Sequence, residues 1–225
     1  MLFKNIELRK LPKWALPAAA LIGFLVLMMR TNPKPKGARP SGRYFYPMNP
    51  FVLPPTTGWM DTEYHDYGVR DHRGSGYLVR PGYWHPAVDL NNPGGGDSDC
   101  GQSVHAITDG VVIVAGWAPV IGERAVIWHE GPGVWSVYWH LRNLEVKPGS
   151  VVMAGQKIAE VGRMASGGFC HLHFGVYYAQ PPSWDYFPNE LNVPKEKSVW
   201  LKYSVDPLQF LNKNKAQLPP KWERD

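Results

Sequence analysis

Residues 171–178 read HLHFGVYY, the pattern of a β-strand that is apolar on one face. Successive side chains of a strand point to opposite sides of the sheet, so Leu172 and Phe174 would face a core. His171 and His173 would then lie side by side on the other face. Two neighbouring imidazoles on a half-apolar strand indicate a metal-binding or acid–base site built on a β domain.

The same kind of pattern recurs on the N-terminal side of this stretch. Short runs of β-branched and aromatic residues alternate with Gly, Pro, Asn and Asp, and no sustained 3.6-residue period occurs between 44 and 225. The clearest runs are 103–115, 124–129, 135–141 and 151–161. The chain is therefore predicted to be mainly β, with an antiparallel, sandwich-like sheet and an irregular surface excursion at 179–204.

Two further patterns supply groups of the same chemistry. In the stretch HPAVD, an extended backbone would place His85 and Asp89 on one face. In WSVYWHL, alternation puts His140 on a polar face and Trp139 and Leu141 together on the apolar one. Two imidazole nitrogens and one carboxylate oxygen form a three-ligand zinc site with an open position for water, as in catalytic zinc centres. Two histidines would remain to act on that water and on the carbonyl that it attacks.

Taken in chain order, these motifs resemble those of the lysostaphin/LytM-type zinc metallopeptidases, the M23 endopeptidases of peptidoglycan. The resemblance covers about residues 67–178 and continues into a DPxxFL-like close at 206–211. The matching stretches are YGVR at 67–70, HPAVD at 85–89, DGVV at 109–112, YWHL at 138–141, the paired glycine turns at 146–156 and HLHF at 171–174. The glycine of the family's HxGxD is Ala87 here, which extended backbone tolerates and a positive φ would not.

The resemblance implies a role for each of five residues. His85, Asp89 and His173 would hold one Zn²⁺ per chain, and His140 and His171 would be the catalytic pair. It implies an endopeptidase that hydrolyses peptide cross-links of bacterial peptidoglycan, with zinc-bound water as nucleophile. One histidine would be the general base and the other would stabilise the oxyanion, in either order. The alternatives are a non-catalytic cell-wall-binding or hydrolase-activating protein on the same fold and a structural zinc domain; neither oligoglycine nor D-amino-acid cross-links are favoured.

The two cysteines and several aromatic residues fall near these motifs. Because Cys100 follows the first ligand pair and Cys170 precedes His171, we hypothesise a Cys100–Cys170 disulfide that braces the site; two unrelated buried thiols are the alternative. The aromatic candidates for a substrate groove are Tyr77, Tyr83, Trp84 and Trp117.

The N-terminal region is predicted to anchor the chain in a membrane. The uncharged run WALPAAALIGFLVLMM would span roughly 24 Å as a helix, close to the ~30 Å of a bilayer core. No small-x-small cleavage site follows, which favours an uncleaved signal anchor over a cleaved secretory signal. The predicted segments are a basic 1–13, the transmembrane anchor 14–30, a Pro/Gly/Lys linker 31–43, the peptidase domain 44–212 and a polar tail 213–225. The expected location is the cell envelope, with the peptidase domain on the periplasmic or extracytoplasmic side.

The charge distribution argues against a nucleic-acid partner. Residues 1–43 hold nine of the 24 Lys and Arg and one of the 19 Asp and Glu, which leaves 15 bases and 18 acids, a net of −3, for the rest. Since the basicity belongs to the N-terminal arm, the folded domain lacks the basic surface of a nucleic-acid binder.

Overall fold

The computed structural model describes residues 40–51, 84–185, 190 and 193–223. Within them the chain forms nine β-strands, one 3₁₀ turn at Lys195–Lys197 and the helix α1, Pro207–Lys213. The strands are β1 Val88–Leu90, β2 Ser103–His105, β3 Gly110–Ala118, β4 Gly122–His129, β5 Val134–Arg142, β6 Val151–Val152, β7 Lys157–Val161, β8 Leu172–Tyr177 and β9 Ser204–Val205. The predicted mainly β, antiparallel fold class is confirmed.

All nine strands belong to one hydrogen-bonded antiparallel sheet. Its main path runs β1-β8-β5-β4-β3-β6, β7 pairs with both β5 and β2, and β9 pairs with β8. The sheet branches at the C-terminal end of β5, where Leu141 lies opposite both Glu123 of β4 and Val161 of β7. This branch point immediately follows His140 in the chain.

Apolar side chains cover both faces of the sheet. Leu172 and Phe174 of β8 belong to the larger core, as predicted. Four tryptophans form much of the second core, namely Trp128, Trp135, Trp139 and Trp200. The predicted polar face of β5 is not solvated, because Ser136 and Tyr138 are fully buried. Their hydroxyls are kept inside by hydrogen bonds: Ser136 Oγ lies 2.7 Å from a ring nitrogen of His129, and the Tyr138 hydroxyl accepts from Ile107 N at 3.1 Å.

The two ends of the described chain lie against each other. Tyr46 N donates to Gln217 O and Gln217 N donates to Tyr44 O, both at 2.8 Å. Helix α1 begins at the N-cap Asp206, whose carboxylate accepts from Leu208 N and Gln209 N at 2.9 and 3.1 Å. The described part of the predicted polar tail therefore runs alongside residues 44–49.

The segment after β8 is more buried than its sequence indicated. Trp200 is 2 % exposed and packs in the second core, and the Glu190 carboxylate accepts from Ser198 Oγ and Val199 N at 2.7 and 2.6 Å. The prediction of a surface excursion at 179–204 is therefore wrong for these residues.

Several predicted features lie outside the described residues, namely the anchor 14–30 with its basic flank, residues 31–39 of the linker, and the YGVR stretch. Among the residues that the structure does describe, no helix has the length and apolar character needed to cross a bilayer.

Candidate active site

β1 and β8 bring the HPAVD and HLH motifs together. Asp89 of β1 pairs directly with His173 of β8. Trp84, just before His85, donates its indole N–H to Val193 O at 2.8 Å and so fixes the approach to the strand. Ala87 is buried and does not have a positive φ, so the replacement of the family glycine is accommodated by ordinary backbone.

His85, Asp89 and His173 point their donor atoms at one position. His85 Nε2 lies 3.1 Å from His173 Nδ1 and 3.5 Å from Asp89 Oδ1, and His173 Nδ1 lies 3.1 Å from Asp89 Oδ1. Ligands at about 2.0–2.1 Å from a tetrahedral zinc are separated by roughly 3.3–3.4 Å, the edge of that tetrahedron. The three separations match that edge, and the donor set is a normal one for zinc. The residues therefore fit the metal that the sequence motifs imply.

His171 lies directly beside this group. It immediately precedes β8, its Nδ1 lies 3.0 Å from Phe169 O, and its Nε2 lies 3.9 Å from Asp89 Oδ2. Because a carbonyl can only accept, the neutral ring carries its proton on Nδ1 and presents the Nε2 lone pair toward the site. The predicted side-by-side placement of His171 and His173 is present.

His140 reaches the site through a β-bulge. Its φ is +63°, and the register between β4 and β5 shifts at this point, so that Glu123 pairs with Leu141 and Arg124 with Trp139. Two hydrogen bonds hold the bulge: His140 Nδ1 donates to Ile121 O at 2.7 Å and Gly162 N donates to His140 O at 2.6 Å. The His140 ring lies 4.6 Å from that of His171 and 5.8 Å from that of His173, between centroids.

The bulge overturns the predicted alternation of β5. Trp139 and His140 were expected on opposite faces, yet both rings contact His173, while Leu141 packs in the larger core and not with Trp139. An extra residue in one strand reverses the alternation beyond it, and no local residue pattern marks this one.

Trp139 is a site residue that sequence reasoning missed. Its indole stacks on the His173 imidazole with centroids 4.5 Å apart and planes 10° apart, and it is 6 % exposed. It sits between the candidate ligand and the second apolar core and so restricts rotation of the His173 ring. Alternation placed Trp139 correctly, on the apolar face with Trp135 and Val137. It put His140 on the opposite face, however, and so gave no sign that Trp139 adjoins the site.

Burial keeps the inner histidines neutral. Burial lowers the pKa of His173 to about 4, despite its hydrogen bond to Asp89. Burial, followed by the positive charges that His171 and His173 can carry, holds the pKa of His140 well below its ordinary value. Both rings therefore have lone pairs available at neutral pH.

A second set of contacts braces the segment before His171. Cys100 and Cys170 form a disulfide. Asp97 accepts from Cys170 N at 3.0 Å and pairs with Arg163 at 2.5 Å. The loop between β1 and β2 is thus attached at three points to the segment that leads into the candidate catalytic histidine His171.

The other histidines have separate roles. His129 is fully buried between Asp109 O and Ser136 Oγ, and His105 Nδ1 contacts Gly155 O at 2.9 Å. His65, His72, Tyr77 and Tyr83 lie outside the described residues. Trp117, on the β3–β4 hairpin, is 64 % exposed.

Comparison with known proteins gives consistent results. Residues 85–184 match the profile of the family described as Peptidase family M23. The murein hydrolase activator EnvC of Escherichia coli (strain K12) is 41 % identical over 76 residues, which are 34 % of this chain and 18 % of that protein. The glycyl-glycine endopeptidase ALE-1 of Staphylococcus capitis is 39 % identical over 77 residues, 33 % of this chain and 21 % of that protein.

Solved structures include similar chains. The crystal structure of a zinc-containing peptidase from Vibrio cholerae matches with 30 % identity and a TM-score of 0.45, over 60 % of this chain and 36 % of that one. The present chain spans about a fifth of the length of the two curated relatives, so the similarity concerns the domain that carries the histidine motifs. Over residues 85–184, this chain is similar to peptidase family M23.

Proposed function

We propose that the chain is a zinc-dependent endopeptidase that hydrolyses peptide cross-links of bacterial peptidoglycan. The observation that carries the proposal is the convergence of His85 Nε2, Asp89 Oδ1 and His173 Nδ1 at 3.1–3.5 Å from one another. His140 and His171 adjoin this group with their rings 4.6 Å apart. The match of residues 85–184 to peptidase family M23 and the name of the relative ALE-1 support peptidase chemistry on a glycine-containing or related peptide.

The proposed ligands are His85, Asp89 and His173, with one Zn²⁺ per chain. When bound there, Zn²⁺ supplies Lewis-acid polarisation of a carbonyl and lowers the pKa of a coordinated water. The chain's own contribution is to hold the three donors before the metal arrives. Pairing of Asp89 with His173 across β1 and β8 and the stacking of Trp139 on His173 provide that order.

His171 and His140 are the proposed proton carriers. Both neutral rings donate Nδ1–H to a backbone carbonyl, so each Nε2 is an acceptor. We assign His171 as general base, because its Nε2 is an acceptor that lies beside the proposed ligands, 3.9 Å from Asp89 Oδ2, where it can take the proton of water. The oxyanion or the leaving amine needs a hydrogen-bond donor. Once His171 has taken the proton of water, the pair of His140 and His171 contains such a donor.

The proposed location is the cell envelope. The substrate is extracytoplasmic, the domain contains a disulfide, and the sequence predicts an anchor at 14–30. We propose peptidoglycan peptides as the partner, a membrane attachment through the N-terminal segment, and no nucleic acid.

A hydrolase activator without activity of its own is the second candidate. The similarity to EnvC, whose name describes an activator of murein hydrolases, favours it. The five chemically competent side chains in one place favour the enzyme, since an activator has no use for a three-ligand metal group beside two acceptor histidines.

The test uses the full chain loaded with zinc and incubated with purified peptidoglycan, with and without a chelator. We expect release of new amino termini that the chelator abolishes. His171→Ala should lose turnover and keep its zinc, whereas Asp89→Ala should lose both. His105→Gln is the matched control, because this histidine contacts Gly155 O and not the site, and it should cleave like the parent. Protein that carries one zinc and releases no amino termini would instead support the activator.

A further inference from the structure

Val120, in the β3–β4 hairpin turn, has an unfavourable backbone conformation. Its φ is +70°, a left-handed value that is rare for β-branched residues and common for Gly and Asn. Its side chain is nevertheless 42 % exposed, so burial in a core does not account for its presence. A strained residue with an exposed apolar side chain points to a role for that side chain outside the fold.

The turn that carries Val120 is joined to the catalytic pair. Ile121, the next residue, accepts the hydrogen bond from His140 Nδ1 at 2.7 Å. Val120 O itself accepts from Ala165 N at 3.1 Å, in the segment that leads to His171. Val120 is therefore one residue away from the group that orients His140.

Phe169 occupies the corresponding place beside the other histidine. It is 52 % exposed, and its carbonyl oxygen lies 3.0 Å from His171 Nδ1. Each candidate catalytic histidine is thus oriented by a backbone carbonyl in or next to a residue with an exposed apolar side chain. Water-exposed apolar surface of this kind gains free energy when a ligand covers it.

We propose that Val120 and Phe169 form an apolar subsite that selects peptides with an apolar side chain, alanine or larger, beside the scissile bond. The inference rests on the proposed endopeptidase function and names its substrate class. A glycine residue has no side chain to place against these groups, whereas a methyl group removes apolar surface of both partners from water. Oligoglycine would then be the poorer substrate of this chain.

The experiment compares three synthetic peptides that differ only in carrying Gly, L-Ala or D-Ala beside the scissile bond, using the zinc-loaded full chain. The Ala enantiomer that is cleaved faster is then the Ala peptide that is compared with the Gly peptide. The parent should prefer an Ala peptide by about 10-fold in kcat/KM, the scale of a small apolar group in a pocket. In Val120→Asn and in Phe169→Ser the preference should fall toward unity, through a higher KM for the Ala peptide and a smaller change for the Gly peptide.

Val120→Asn also separates a lost subsite from lost folding. Asn tolerates the left-handed region, so the melting temperature should rise by about 2–4 °C while the preference for Ala is lost. Lys215, with a φ of +52° in an exposed position after α1, gives the matched control. Lys215→Gly should raise the melting temperature similarly and leave the Ala preference intact.

Three outcomes would overturn the inference: a parent that cleaves both peptides equally, a Val120→Asn variant that keeps the preference, or equal losses on both peptides in kcat. The last would show that Val120 acts only by orienting His140 through Ile121. If the parent cleaves none of the peptides, the proposed function fails, and equilibrium binding of the same three peptides to zinc-loaded protein then decides the subsite. Tighter binding of either Ala peptide that disappears in Val120→Asn supports it, and equal binding contradicts it.

Discussion

Acidification from pH 7 to pH 5 should destabilise the domain through His129, which has no exposed surface. A ring nitrogen of His129 lies 3.0 Å from Asp109 O, and the other lies 2.7 Å from Ser136 Oγ. The carbonyl can only accept, so Nδ1 carries the proton and Nε2 accepts from the serine hydroxyl. The neutral ring therefore satisfies both contacts, and burial lowers the pKa of His129 from 6.5 to about 4.

The direction of the effect follows from these two pKa values. The unfolded chain takes up the proton below about pH 6.5, whereas the folded chain resists protonation until about pH 4. The unfolded state binds more protons than the folded state throughout this window. The contribution of His129 to the free energy of unfolding is therefore at its maximum above pH 6.5 and decreases as the pH falls. The whole difference corresponds to about 3 kcal/mol, of which about 2 kcal/mol is lost between pH 7 and pH 5.

Urea unfolding of the parent and of His129→Gln at pH 7 and pH 5 measures this contribution. The variant should be less stable at pH 7, because the buried contacts are disturbed, but should lose about 2 kcal/mol less than the parent on acidification. Ser136→Ala is the control: it removes one hydrogen bond, keeps the buried imidazole and should retain the pH dependence. An unchanged pH dependence in His129→Gln would refute the reasoning and assign the acid sensitivity to other groups.

Three further changes test the site and its support. Gly162→Ala should lower the free energy of unfolding by more than about 2 kcal/mol and reduce hydrolysis, because the added Cβ would lie 2.6 Å from Leu141 O in the bulge. An unaltered denaturation midpoint would contradict this. Trp139→Leu should weaken zinc binding about 10–100-fold, as measured by competition with a chromogenic chelator. Trp139→Phe keeps a ring that can stack on His173 and should keep most of the affinity. Equal zinc affinities of the two variants would count against a role of Trp139 in positioning His173. Replacing Cys100 and Cys170 together by Ser should lower the free energy of unfolding by about 4 kcal/mol, because the disulfide links residues 70 apart and restricts the unfolded chain. A dithiol reductant should remove this difference between the variant and the parent if the disulfide is its source.

The sequence alone determined the strands and the chemistry of the candidate site. Runs of β-branched and aromatic residues, interrupted by turn formers, place most of the strands correctly, because these preferences are local. The two-residue period likewise puts His171 and His173 on one side of β8, opposite Leu172 and Phe174. The spacing in HPAVD and the nature of its side chains indicate His85 and Asp89 as candidate donors without knowledge of the fold.

The tertiary structure decided how these groups meet. Strand pairing set Asp89 against His173, and a register shift between β4 and β5 turned His140 to the same side as Trp139, against the alternation that its neighbours predict. The backbone bonds that hold this bulge come from Ile121 and Gly162, each about twenty residues from His140 in the chain. A left-handed backbone at a histidine is unfavourable in isolation, and only contacts between distant strands stabilise it. For that reason the residue types of the site can be read from the sequence, while the orientation of His140 and the stacking of Trp139 depend on the folded sheet.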